Sequence, residues 1–236
     1  MERVARMLSR RGVLIGGAGM ALAGCASTQR LVEMSDPLTP PAIQTAALNP
    51  TPVAARVAPP LDPQGMIPVS LRERALEALD HHAASIPNRD RIYVVNFSAH
   101  SAQPRMVELD LVSGQSRAIH TAHGVGSDPT HTGYAHGFSN MQDSHASSVG
   151  AYRTAGEGWG ARHGDNVLLD GLDATNSNVR DRAIIVHAAD YCEPDFLARE
   201  GKLGRSFGCF ATSFADLAYL RPRMSEGRLL YAGIVI

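Results

Sequence analysis

Two side chains in this 236-residue chain have the types and settings that thiol chemistry needs. Cys209 closes the stretch Gly204-Arg205-Ser206-Phe207-Gly208-Cys209, which leads toward a helix that Ser213 and Asp216 would cap. Gly208 lets backbone and substrate approach closely, and the adjoining amides could hold an oxyanion. Helix amides and the nearby Arg205 would favour the thiolate, which is the nucleophilic form. Upstream, Ala183-Ile184-Ile185-Val186-His187 reads as a buried strand that delivers an imidazole at its end. A glycine-preceded thiol and a strand-end histidine make a nucleophile and its base, provided the fold brings them together. The alternative for His187 is a hydrogen-bonded residue of the core or rim.

Other candidates are plainer. The ten histidines raise the question of zinc. His120-Thr121-Ala122-His123, however, lies on an expected strand with no acidic base in helical context, unlike a helical zinc-hydrolase motif. No metal or other cofactor is expected. Tyr134 and Trp159 could stack on a sugar, but the preferred reading packs both in the core. Cys192 and Cys209 together admit a disulfide, two buried bystanders or one reactive thiol.

The elements that would position these groups are mostly strands. Arg91–Phe97 and Met106–Leu111 are β-rich, the second with alternating character, and the turn at Val112-Ser113-Gly114-Gln115 returns the chain into Arg117–Ala122. Further strands are expected at Gly150–Thr154, Asn166–Leu169, Ala183–His187 and Arg228–Val235. A late helix runs from about Phe214 to Met224, with Leu217, Leu220 and Met224 on one face. An earlier helix over 70–87 opens on a capping-box pair, Ser70 and Glu73, and repeats Leu71, Ala75 and Leu79 on one face. It would either pack on the domain or form a stalk. The fold expected over 88–236 is mainly β with one or two helices.

The first 25 residues read as an address. A basic stretch through Arg11 precedes the apolar run 12–24, which is shorter than the ~20 residues a bilayer span needs. The run ends in Leu22-Ala23-Gly24-Cys25, which resembles a bacterial lipobox. The resemblance implies a lipidated Cys25 and a membrane anchor on the periplasmic side of the envelope, at the outer membrane rather than the inner. Ser9-Arg10-Arg11 also resembles a twin-arginine export signal. Residues 26–69 are rich in Pro and Ala and read as a semi-rigid tether. The formal charge of −1 gives no electrostatic reason to bind nucleic acid.

The spacing His187…Ser206-Phe207-Gly208-Cys209 resembles the catalytic motif of the L,D-transpeptidases, in the murein branch of the YkuD-like superfamily. Phe138-Ser139-Asn140, Ser144-His145 with Ser147–Tyr152, Leu169–Leu172 and Asp190-Tyr191 are similar in the same order. The resemblance covers about 90–236 and implies an L,D-transpeptidase-like β-sandwich or barrel. It also implies a cysteine acyltransferase acting on peptidoglycan stem tetrapeptides through a thioester. Cys209 would be the nucleophile and His187 the base, oriented by a backbone carbonyl. The Gly208 and Cys209 amides would form the oxyanion hole. His145, Arg205, Ser206, Asp190 and Tyr191 would contact substrate, with bracing of the turn the preferred part for Arg205. Cys192 would be a buried or regulatory thiol. Ala188, Phe207, Phe210 and Thr212 depart from the family pattern, and an arginine of the main branch is missing after the cysteine. Two alternatives follow: hydrolysis at the same site as an L,D-carboxypeptidase, or a non-catalytic peptidoglycan-binding lipoprotein.

Overall fold

The computed structural model describes residues 59–235. Cys25, the leader and most of the expected tether lie outside the described residues. Eight strands form one sheet: β1 (Arg91–Asn96), β2 (Met106–Asp110), β3 (Ser116–Ile119), β4 (Gly150–Gly160), β5 (Gly164–Gly171), β6 (Ile185–Ala188), β7 (Phe210–Thr212) and β8 (Leu229–Gly233). Their order is β3-β2-β1-β8-β4-β5-β6-β7. The β1–β8 and β6–β7 pairs are parallel; the other five are antiparallel.

The middle of the sheet is apolar on both faces. Successive side chains of a strand point to opposite faces. Tyr93 and Val95 of β1 thus enter the larger core with Tyr152, Val186 and Phe210, whereas Ile92 and Val94 enter a second core with Val107 and Leu229. The second core is covered by helix α1 (Val69–His81), whose Leu71, Ala75 and Leu79 are buried against it. The helix therefore packs on the domain and is no stalk. It starts and stops differently from the sequence expectation. Pro68 caps it, with the Pro68 carbonyl accepting from Leu71 and Arg72, and no Ser70–Glu73 capping box forms. It ends at His81, well before Pro87, because residues 82–85 turn away. The stretch just before it is also tied down: the buried Asp62 carboxylate accepts from the Met66 and Ile67 amides and from Ser116 Oγ on β3.

The sheet curls until its two edges meet. The chain leaving β3 runs beside β7: Ala122 N–H donates to Ala211 O at 2.8 Å, Ser206 N–H to His123 O at 2.9 Å, and Val125 N–H to Ser206 O at 2.8 Å. This mainly-β, barrel-like closure is what the resemblance implies, and 88–236 holds two helices, within the expected one or two. The helix not foreseen is α2 (Pro194–Glu200), which buries no residue and so carries no apolar repeat. Its only sequence marks are Pro194 at the start and Gly201, at φ +67°, at the end. Helix α3 (Phe214–Leu220) starts as expected, with Ser213 Oγ accepting from the Asp216 amide at 3.1 Å.

Candidate active site

The sequence places the thiol just ahead of a helix; the structure inserts β7 between them. In the parallel β6–β7 pair Val186 faces Phe210 and His187 faces Ala211. Extending that register sets Cys209 opposite Ile185, two positions before His187 and on the same face. With strands ~4.8 Å apart and ~3.3 Å per residue, the two α-carbons lie roughly 8 Å apart. Cys209 and His187 line one groove of about 510 Å³, with Trp159, Leu168 and Phe207 among its apolar walls. Phe210 and Thr212, two of the unusual residues, point elsewhere: both are fully buried, and Phe210 stacks on Phe97.

Both groups rest uncharged. Burial pushes the Cys209 thiol up, against the opposing influence of the Ile185 and Cys209 amides and of the Arg182 and Arg162 charges. The thiol donates to the carbonyl of Ala183 at 3.6 Å. That alanine holds φ +52°, a left-handed conformation costly for a residue with a Cβ, and this is why β6 begins at Ile185 rather than at Ala183. Burial lowers His187 to about 4, opposed by the hydrogen bond from Nδ1–H to the Ala188 carbonyl at 2.9 Å. That bond fixes the tautomer and leaves Nε2 as the acceptor. His163, from the β4–β5 turn, packs its ring 4.1 Å from that of His187. In the sequence His163 is only one of ten histidines; its place over the imidazole is set by hairpin length, which no local pattern reveals. Among the described residues no three His, Cys, Asp or Glu side chains converge as a metal site.

The other expected site residues divide. Tyr191 lines the groove. His145 is exposed and stacks on Phe207 at the rim, ring centroids 4.3 Å apart. Ser206 is buried and occupied within the turn: its hydroxyl donates to Cys209 O at 2.8 Å and accepts from the Gly208 amide at 3.1 Å. The Gly208 amide is thus committed, and of the two expected oxyanion donors only Cys209 N–H remains. Gly208 itself, at φ +111°, admits no Cβ because Ala146 O would lie 2.7 Å away. Arg205 braces the turn by donating to the carbonyls of Asp128 and Pro129. The charges acting on the sulfur are those of Arg182 and Arg162, in place of the helix amides and Arg205. Asp190 is exposed and does not line the groove. Tyr134 and Trp159, expected in the core, are both exposed, and Trp159 stands at the groove because β4 runs six residues beyond its expected end. Asn166, cross-strand neighbour of His187, is buried at the groove with its Oδ1 unpartnered.

A buried ionic relay supports the turn from behind. Arg105 donates to His123 Nδ1 at 2.6 Å, and His123 Nε2–H donates to Asp128 Oδ2 at 3.2 Å. Asp128 also accepts from the Thr132 and Gly133 amides, which helps hold it near 2 against the upward push of burial. His123 falls to about 4, mainly by burial. Its carbonyl is the one that accepts from the Ser206 amide, so the relay and the Cys209 turn share a backbone seam.

Residues 64–232 match the family model described as the L,D-transpeptidase catalytic domain, and the chain belongs to that family. No curated protein matches the chain. Solved structures that resemble it include an L,D-transpeptidase from Mycobacterium smegmatis, at 12% identity and TM-score 0.36, covering 61% of this chain and 58% of that one. Another is an L,D-transpeptidase from Mycobacterium tuberculosis H37Rv, at 15% identity and TM-score 0.35, covering 61% and 57%. A third is the L,D-transpeptidase (residues 123-326) from Xylanimonas cellulosilytica DSM 15894, at 15% identity and TM-score 0.33, covering 68% and 69%. The match thus spans under three fifths of the length of the two mycobacterial chains.

Proposed function

We propose that this protein is a cysteine L,D-transpeptidase that acts on peptidoglycan stem tetrapeptides. The observation that carries the reading is one groove holding the Cys209 thiol beside an imidazole whose Nδ1 is tied to a carbonyl, leaving Nε2 to accept a proton. Substrate brings its scissile carbonyl, that of the third residue, to the sulfur. His187 Nε2 takes the thiol proton as the carbon–sulfur bond forms, and Cys209 N–H faces the oxyanion. The imidazolium then protonates the leaving D-alanine amine as the carbon–nitrogen bond breaks, which leaves a thioester. An amine from a neighbouring stem completes a cross-link; water instead completes a carboxypeptidase cycle. Neutral partners suit this sequence, because the ion pair needs to exist only while substrate shields it from water.

The same reading puts the domain on the periplasmic side of the envelope, held to the membrane through lipid on Cys25. The decisive experiment incubates the pure protein with disaccharide-tetrapeptides and weighs the products. Dimers, or tripeptides with released D-alanine, are expected, with none from Cys209→Ala. Unchanged tetrapeptide, together with no adduct on Cys209 after carbapenem treatment, would leave a non-catalytic wall-binding protein.

A further inference from the structure

The arginines of this domain are placed in two ways. Many meet carboxylates: Arg72 with Asp62, Arg91 with Glu108, Arg153 with Asp170, Arg221 with Glu157, Arg228 with Asp90. The three that line the groove, Arg162, Arg182 and Arg205, have no carboxylate partner among the described residues, and no Asp or Glu lines the groove with them. Arg205 is spent on two carbonyls, as above. Arg182 is half-buried beneath the nucleophile turn; its Nη2 would lie 3.1 Å from a Cβ built on Gly208. Carbonyls of Ser139 and Ala146 hold its two terminal nitrogens, so it is a fixed cation with its charge uncompensated. Arg162 stands at the tip of the β4–β5 hairpin, its guanidinium 5.2 Å from the centroid of the Phe207 ring. None of its side-chain donors is hydrogen-bonded among the described residues.

We propose that Arg162 binds a carboxylate beside Cys209 within the positive field of Arg182, a pair that selects donor peptides by a free carboxylate near the scissile bond. The proposal rests on reading the groove as the donor-peptide site. A guanidinium is planar and matches a carboxylate through two parallel N–H donors, and that of Arg162 lies over the Phe207 ring at the groove with its donors unspent. The apolar walls of Trp159, Leu168 and Ile185 lower the local dielectric and strengthen the attraction. Arg182 supplies a permanent positive field from below, and Arg162 closes on the anion from the hairpin. The same two charges act on the sulfur, so a carboxylate that neutralises them also tunes the thiol. Thr212, after the cysteine, is sealed in the core and cannot share the task.

The test uses the only tryptophan of the chain, Trp159, as a reporter of groove occupancy. Full-length Cys209→Ala protein is titrated with a disaccharide-tetrapeptide and with the same molecule carrying amidated carboxylates. The free acid is expected to bind about 10- to 100-fold tighter, the range for a charge-assisted hydrogen-bonded pair. Adding Arg162→Gln should erase most of that preference, and Arg162→Lys should keep part of it. Arg162 is exposed, so neither change threatens the fold; Arg182→Gln, checked for folding by circular dichroism, should act in the same direction. Equal affinity for acid and amide, or an undiminished preference in both glutamine variants, would overturn the pair. Acid-selective binding with no turnover by the wild type would keep the pair and sink the transpeptidase. Turnover of both donors at equal efficiency would do the reverse.

Discussion

Cys192 and Cys209 occupy neighbouring regions of the fold, and both are free, buried thiols pushed up by burial. Cys192 packs among Ala122, Leu203 and Ala211, an apolar pocket between α2 and the sheet seam. Cys209 is as buried by its own surroundings, yet one side of it faces a groove with an acceptor imidazole, two amides and two cations. The shift in proton affinity therefore does not separate nucleophile from bystander. On the proposed function, access and a partner able to take the proton do.

The contrast is broken most directly by exchanging the roles. Cys209→Ala should abolish acylation by a carbapenem, measured by intact mass, while Cys192→Ala should acylate within about twofold of wild type. An adduct that follows Cys192 would invert the comparison. His187→Gln, close in shape, should lower the acylation rate by about 10²- to 10⁴-fold, the usual weight of a general base. Full activity in that variant would remove the imidazole from the scheme.

Acidity sharpens the same comparison. His187 sits near 4 against an ordinary 6.5, so the neutral base persists as pH falls, and the acid limb of the acylation rate should lie near pH 4 to 5. A limb at 6.5 would mean a solvated imidazole. Stability should move in parallel. Between 6.5 and about 4 the unfolded chain binds protons that buried His187 and His123 do not. Folding free energy is thus fully present above 6.5 and lost on acidification, by up to ~3 kcal/mol per histidine. Urea melts at pH 7.5 and 4.5 should differ accordingly, and the difference should shrink in His123→Gln.

The smallest expected effect is at the other thiol. Cys192→Ala leaves a small void and should cost about 1 kcal/mol, read as a lowered thermal midpoint with unchanged acylation. Ser206→Ala should cost about 1–2 kcal/mol through two lost hydrogen bonds, and it frees the Gly208 amide.

Much of this arrangement was legible in sequence because it rests on local signals. Apolar strands flanked by turn residues, the Ser213 cap, and a glycine before a cysteine all act within a few positions. The failures share a physical cause. Helix α2 buries nothing and so has no periodicity to find. The Ser70–Glu73 box lost to Pro68, which starts the helix one residue earlier. Ser206 and Arg205 look like ligand-binding residues by type, but both are consumed in holding the turn, a competition decided by three-dimensional neighbours. His163, Arg162 and Trp159 owe their places to a hairpin that extends past its β-branched residues, and Asn166 owes its orphaned acceptor to cross-strand packing.

The seam that joins the chain after β3 to β7 has a kinetic consequence. Thr121 and Ala211 bond across ninety positions of sequence, and the nucleophile turn hangs on that same line of bonds. Contacts so distant along the chain bear a large loop-closure cost and are expected to zip up after the local hairpins. Closure of the Cys209 turn thereby becomes a late event, and the sulfur is confined to one open side, the groove, in the same step. During refolding, pulse alkylation of Cys209 should stay rapid until the slowest phase and then fall to the slower native rate with it.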